Sequence, residues 1–216
     1  MHETISMRWR YLFIQRLSHR LRILWDLFFE KIEHPPEVVP SNGPLIIASN
    51  HRTLIDHWLI TLVFKRDVFE RRIPMRFLAH PVWRFPTVGR PVVGFIWWLY
   101  GVISIDEDAI ETLAALINNH GGTGLIYPEG RRLWGDKIGR FRVGVIDLAE
   151  RTNAPILLCA IRFGKWQWFP WRGRTKCVIH FARKPLEIPS ELNGWKAARF
   201  LREEVVRLYE EAGNYL

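Results

Sequence analysis

Beyond the turn from Pro40 to Pro44, short apolar runs alternate with helix-period segments to the end of the chain, and this alternation constrains the fold more than any other feature. Brief β-prone runs, each followed by an amphipathic helix, are the pattern of a sheet whose strands are joined by helices. Strands are predicted at Leu45–Ser49, Met75–Ala79, Val102–Ile105, Gly124–Tyr127, Ile156–Ile161 and Cys177–Ala182. Helices are predicted over Leu54–Phe64, Ala109–Asn119, Val143–Thr152 and Gly194–Ala212. The fold class is therefore α/β, a mixed sheet flanked by helices. With 216 residues the chain fits one domain carrying a helical extension, and no internal repeat or low-complexity linker divides it.

The extension lies at the N-terminus. From Met7 to Ile32, Trp9, Phe13, Leu17, Leu21, Leu24, Phe28 and Ile32 recur at three- or four-residue spacing, the mark of an amphipathic helix, which His34-Pro-Pro then ends. Five Arg and no acid fall between Met7 and Trp25, which suits a helix lying on an anionic membrane surface better than one capping its own domain. The whole chain agrees, with a net charge of +9 and 11 Trp residues. Such an excess of cations must face nucleic acid or anionic lipid, and Trp beside Arg favours the lipid interface. Residues 1–40 are accordingly expected to be an amphipathic membrane-association segment and 41–216 the main domain. The longest apolar run, Pro91 to Ile105, has 15 residues including a Pro and two Gly. That is short of the ~20 a spanning helix needs, so a peripheral or monotopic protein on the cytoplasmic face is expected. Arg and His break every apolar stretch near the N-terminus, which argues against a secretory signal. Without an Asn-x-Ser/Thr sequon, Cys159 and Cys177 in their apolar runs read as buried, reduced thiols.

Two polar constellations follow predicted strands, where α/β proteins place ligand sites. The first is Asn50-His51-Arg52-Thr53-Leu54-Ile55-Asp56. On a continuous helix His51 and Asp56 would lie about 140° apart and could not meet. With His51 in the turn and Asp56 in the first helical turn, the carboxylate can bond one ring nitrogen and leave the other as a base. A chance pair of solvated polar residues is the alternative. The second is Tyr127-Pro128-Glu129-Gly130-Arg131-Arg132, with Gly135, Gly139, Phe141, Arg142 and Gly144 beyond it. Glycines let main-chain amides approach an anion and Arg forks grip phosphate, although solvated arginines on a Gly turn would read the same. It is neither a Walker loop nor a dinucleotide fingerprint.

Taken together, in order and separation, these motifs resemble those of the glycerolipid acyltransferases over about Pro44 to Ile161. Asn50-His51 to Asp56 resembles the NHxxxxD motif, and Tyr127 to Arg132 the Pro-Glu-Gly-Thr-Arg motif. Gly139-x-Phe141-Arg142-x-Gly144 is similar to the family's GxFKxG tail, Gly101 to Asp106 to its second motif, and Ala154 to Leu158 to its fourth. Two positions depart: Arg131 stands where Thr is usual, and Glu107 where many members carry Arg.

The resemblance implies a glycerol-3-phosphate acyltransferase-like fold. It also implies that neutral His51, oriented by Asp56, deprotonates an acceptor hydroxyl, which attacks a fatty acyl thioester of coenzyme A or acyl carrier protein. Catalytic residues would be His51 and Asp56; Asn50, Glu129, Gly130, Arg131 and Arg132 would hold the substrate. No metal and no cofactor beyond the acyl donor is implied, and no nucleic-acid partner. The acceptor so implied is a lysophospholipid, foremost 1-acyl-sn-glycerol-3-phosphate. Another lyso-lipid, an amino-acid lipid or a glycolipid is the alternative, as is a non-catalytic lipid-binding protein, for which a broken His/Asp pair would be the sign. His57 reads as a helix-surface residue beside the site, and His80, His120 and His180 lack ligand spacing. Lys165 to Arg174 joins three Trp to several cations, either as a second membrane foot or as a base-stacking surface. Phe95 to Tyr100 could line an acyl channel or belong to a buried strand or helix.

Overall fold

The computed structural model describes residues 5–79, 89–105, 108–133, 135–167 and 173–216. Asp106 and Glu107, His80, and Trp168 to Arg172 of the aromatic loop lie outside the described residues, as does the side chain of His120.

The described chain runs α1 (Ile5–Arg20), a 3-10 turn (Leu21–Leu27), β1 (Phe29–His34), β2 (Leu45–Ser49), α2 (Asp56–Leu62), α3 (Arg66–Arg72), β3 (Met75–Ala79), α4 (Arg90–Tyr100), β4 (Ile103–Ser104), α5 (Ala109–His120), β5 (Thr123–Ile126), α6 (Gly144–Thr152), β6 (Ile156–Phe163), β7 (Thr175–Phe181) and α7 (Gly194–Gly213). The strands form one seven-stranded sheet in the order β1-β7-β6-β2-β5-β3-β4. Neighbours are parallel except β6 and β7, which run antiparallel, so the sheet is mixed.

Side chains of a strand alternate between faces, and β2 at the centre shows the consequence. Ile46 and Ala48 join the core beneath α5, α6 and α7, with Leu113, Leu148 and Leu201. Leu45 and Ile47 join the opposite core with Leu59 of α2, Phe69 of α3 and Phe64 of the turn between them. All five residues of β2 are buried, which is why the strand reads as an unbroken apolar run. Cys159 and Cys177 are both free and buried, and burial pushes both thiols up from their ordinary value.

The N-terminal helix expected over Met7 to Ile32 is corrected in two respects. It ends at Arg20, and Phe29–His34 instead pairs in register with Thr175–His180 as the edge strand β1. β1 thus belongs to the same sheet as the strands that follow it. Nor does the apolar stripe of α1 pack inward. The face that docks carries Tyr11, Gln15 and His19, all buried. Gln15 exchanges two hydrogen bonds with the main chain of Met75 (2.8 and 3.0 Å), the His19 ring bonds the Phe64 carbonyl, and the Tyr11 hydroxyl accepts from Arg76 (2.7 Å). Trp9 and Phe13 are left 64% and 67% exposed. Leu17, Leu21, Leu24 and Phe28 continue the exposed stripe, and Val92, Phe95 and Trp98 of the neighbouring α4 extend it. Phe95 and Trp98 are therefore surface residues of a helix, whereas Tyr100 lines a small enclosed void with His57, Trp58 and Phe77. No described helix is long and apolar enough to cross a membrane.

Candidate active site

His51 leaves the end of β2, and Asp56 opens α2 five residues later, so the chain turns between them as the pairing requires. The His51 Nδ1 lies 2.8 Å from Asp56 Oδ2. The same carboxylate accepts the main-chain N–H of Arg52 (2.6 Å) and of Thr53 (2.9 Å), and its other oxygen accepts the Thr53 hydroxyl (2.5 Å). Asp56 is wholly buried and fully partnered, and it cannot swing away. With Nδ1 engaged by Asp56, Nε2 is the ring nitrogen of His51 that bonds no other described residue. The Tyr127 ring stacks on the imidazole at 4.1 Å, and burial above all, then the Asp56 charge, pushes its phenol well up.

Two buried side chains fix the position of this turn. Asn50 spans to β6, donating to the Ile161 carbonyl (2.9 Å) and accepting the Ile161 N–H (2.8 Å). Glu129 accepts the His51 N–H on one oxygen (3.1 Å) and the Gly139 N–H on the other (2.9 Å). Both were expected to hold substrate. Their polar atoms bond the protein and hold the His51 turn in place, and Glu129 ties the two motifs together. Gly130 likewise meets Arg142 rather than open space: its φ is +66°, and a Cβ there would come within 2.8 Å of the Arg142 Nε. The turn needs glycine on both counts. Arg131 and Arg132 are exposed and make no hydrogen bond or ion pair with another described residue. Arg132 does line a cleft of about 710 Å³ together with Thr53, Leu54, Ile55, Phe163 and Trp166.

Sequence reasoning missed Arg52 and Thr53. Arg52 is buried, donates to the carbonyls of Leu133 and Lys137 (both 3.0 Å), and lies over the Tyr209 ring at 4.8 Å. Nothing local in the sequence marks it. Thr53 was legible, since Thr-x-x-Asp is the spacing of a capping box, in which the carboxylate reaches back to the earlier N–H. His57 proves to be no solvated surface residue: burial, and less strongly His51, holds its imidazole down at about 3. His180 stands apart on β7, beside the edge strand β1, 3.8 Å from Glu211 and facing His34. No group of three or more potential metal ligands occurs among the described residues.

The family model named Acyltransferase matches residues 31–162, a span that contains both motifs and the His51–Asp56 pair. The chain belongs to the acyltransferase family. No curated protein matches its sequence. Among solved structures, the 1-acyl-sn-glycerophosphate acyltransferase PlsC of Thermotoga maritima is similar over 93% of this chain and 81% of that one, with a TM-score of 0.67 and 20% identity. That likeness is one of fold, and it extends beyond the family match to most of this acyltransferase.

Proposed function

We propose that this acyltransferase moves a fatty acyl group from a thioester of coenzyme A or acyl carrier protein to the free hydroxyl of a lysophospholipid. The acceptor we assign is 1-acyl-sn-glycerol-3-phosphate, and the product phosphatidic acid. The reading is carried by one juxtaposition: the residues Arg52 and Thr53 beside the His51–Asp56 pair line a cleft whose walls join the exposed Arg132 and Asp136 to Leu54, Ile55, Phe163 and Trp166. An apolar wall with a cation at its rim suits an acceptor that is an acyl chain with a phosphate at one end. Nε2 of His51 takes the hydroxyl proton as the oxygen attacks the thioester carbonyl. The tetrahedral intermediate collapses with cleavage of the C–S bond, and the departing thiolate takes the proton from the imidazolium, which Asp56 stabilises meanwhile.

The same proposal seats the enzyme on an anionic leaflet by the exposed stripe of α1 and α4. The exposed Arg20 and Arg22 flank the stripe, while Arg16 is paired with Glu70 (2.7 Å), and each cation near such a surface adds about 1 kcal/mol. Purified protein supplied with a labelled acyl thioester and a mixture of 1-acylglycerol-3-phosphate and 1-acylglycerol tests the acceptor, read by mass spectrometry of the lipids. Phosphatidic acid should dominate. Equal rates on the two acceptors would overturn the phosphate reading and leave acyl transfer standing.

A further inference from the structure

A second recess, of about 650 Å³, lies between the Ile138–Phe141 loop and the first turns of α7. Gly139, whose N–H is held by the Glu129 carboxylate that also holds His51, forms part of its wall. Its rim is cationic and aromatic: Arg140, Lys196, Arg199, Arg202 and Trp195, with Phe141 below, and among the described residues no acidic one lines it. Arg202 is fixed by the carbonyls of Ile138 and Gly139 (2.9 and 2.8 Å). Arg199 reaches only the exposed Glu203 on its own helix (3.0 Å), a solvent-screened pair that a phosphate can replace. The Arg140 guanidinium lies 4.3 Å from the centre of the Trp195 ring, and Trp195 is 52% exposed.

Four like charges around one concavity repel each other and concentrate positive potential there, which calls for a polyanion. A guanidinium stacked on a half-exposed indole is in addition a platform for a planar base. The volume falls in the range of small-ligand sites, whereas an acidic carrier protein would need a broad, flat face. We propose that this recess binds the nucleotide end of the acyl donor, its base on Trp195 and Arg140 and its phosphate groups on Lys196 and Arg199. The proposal rests on the acyl-transfer reading and makes coenzyme A the donor's carrier. The recess and His51 are linked through Glu129, whose carboxylate accepts the N–H of Gly139 in the recess wall and the N–H of His51.

The test is calorimetric titration of free coenzyme A into the full chain without acceptor, so that binding is read apart from turnover. Coenzyme A should bind, and its 3′-dephospho form should bind at least about tenfold more weakly, as a lost charge-assisted contact predicts. Lys196→Ala with Arg199→Ala should weaken coenzyme A by a similar factor or more, as should Trp195→Ala. All three residues are exposed, so unchanged melting temperatures should accompany these losses. In turnover the same variants should raise KM for acyl-CoA and keep kcat. Affinities unaltered by the substitutions would overturn the site. Transfer from acyl carrier protein without binding of coenzyme A would also overturn it and leave the acyl-transfer reading intact. Variants that lose only their binding to phosphatidylglycerol vesicles would reassign the recess to the membrane. Coenzyme A binding as described, with no transfer from either donor, would sink the functional reading and keep the site.

Discussion

Replacing Asp56 with Asn would separate the two things its carboxylate does for His51. One oxygen receives three donors: His51 Nδ1 at 2.8 Å, and the main-chain N–H groups of Arg52 and Thr53 at 2.6 and 2.9 Å. Main-chain donors cannot reverse, so an amide in that place must turn its carbonyl oxygen to them, and thereby to Nδ1. Its NH₂ would then face the Thr53 hydroxyl, which can rotate from donor to acceptor. Orientation and tautomer of His51 survive, and only the negative charge is lost. In a Ser-His-Asp triad the same change sets the wrong tautomer and costs about 10⁴ in kcat. Here the loss is the attraction of carboxylate for imidazolium, about 4 kcal/mol at ~4 Å and an effective dielectric of ~20. Solvent reduces it, since the His51 side chain is 19% exposed. The expected fall in kcat is about 10²–10³, with little change in stability. Asp56→Ala, by contrast, leaves two main-chain donors without partners and should also cost about 2–4 kcal/mol of stability. The assays are kcat with labelled acyl thioester at saturating acceptor, and urea unfolding of both variants. An Asn variant as unstable as the Ala variant, or one that loses 10⁴ or more in kcat, would refute the pinned-amide argument. One that turns over like the native enzyme would remove the Asp56 charge from the reaction.

Arg132→Ala should lower kcat/KM for 1-acylglycerol-3-phosphate by about 10–100-fold, the worth of one charge-assisted contact, and Arg131→Ala by much less, because only Arg132 lines the cleft; equal losses would redistribute the role. Glu129→Gln should reduce kcat and stability by about 1–3 kcal/mol each while leaving KM for the acceptor unchanged, since one of the two N–H groups it accepts would then face an NH₂; a raised KM alone would return Glu129 to substrate contact. Trp9→Ser, Phe13→Ser and Phe95→Ser together should weaken binding to anionic vesicles by at least about tenfold without lowering the melting temperature, because all three side chains are exposed; flotation unaffected by the changes would exclude this face as the anchor. Acid should destabilise the fold: burial first of all lowers His57, to about 3, and also lowers His19 and His180, so between 6.5 and that value the unfolded chain binds more protons than the folded one. The urea midpoint is therefore expected to fall from pH 7 to pH 5 and the slope to flatten in His57→Gln; a midpoint constant over that interval would contradict it.

How far the sequence could be read depends on the distance to each residue's partner. The bounds of β2 and β3 match the runs that predicted them; β2, buried along its whole length, reads as an apolar run, and β3 does so apart from Arg76. The His51–Asp56 contact was legible for the same reason: its partners are five residues apart and the turn between them is short. The strand β1 was not, because Phe29-Glu-Lys-Ile-Glu-His fits a continuing helix as well as a strand, and pairing with β7 far along the chain decides it. The same holds for α1. Periodicity locates its apolar stripe but not the side that docks. That choice is made by Arg76, the Met75 main chain and the Phe64 carbonyl, which receive Tyr11, Gln15 and His19 and turn the apolar stripe outward. The helix binds its own protein through hydrogen bonds and leaves Trp9 and Phe13 outside, the exposed face on which the proposed membrane contact rests. Asn50 and Glu129 complete the argument. As motif residues they read as substrate contacts, and their bonds to Ile161 and Gly139, 111 and 10 residues away, which also support His51, could not be read from the motifs. Loss of activity on changing either one is therefore expected whether or not it ever meets the substrate, and the split between kcat and KM, not the loss itself, carries the information.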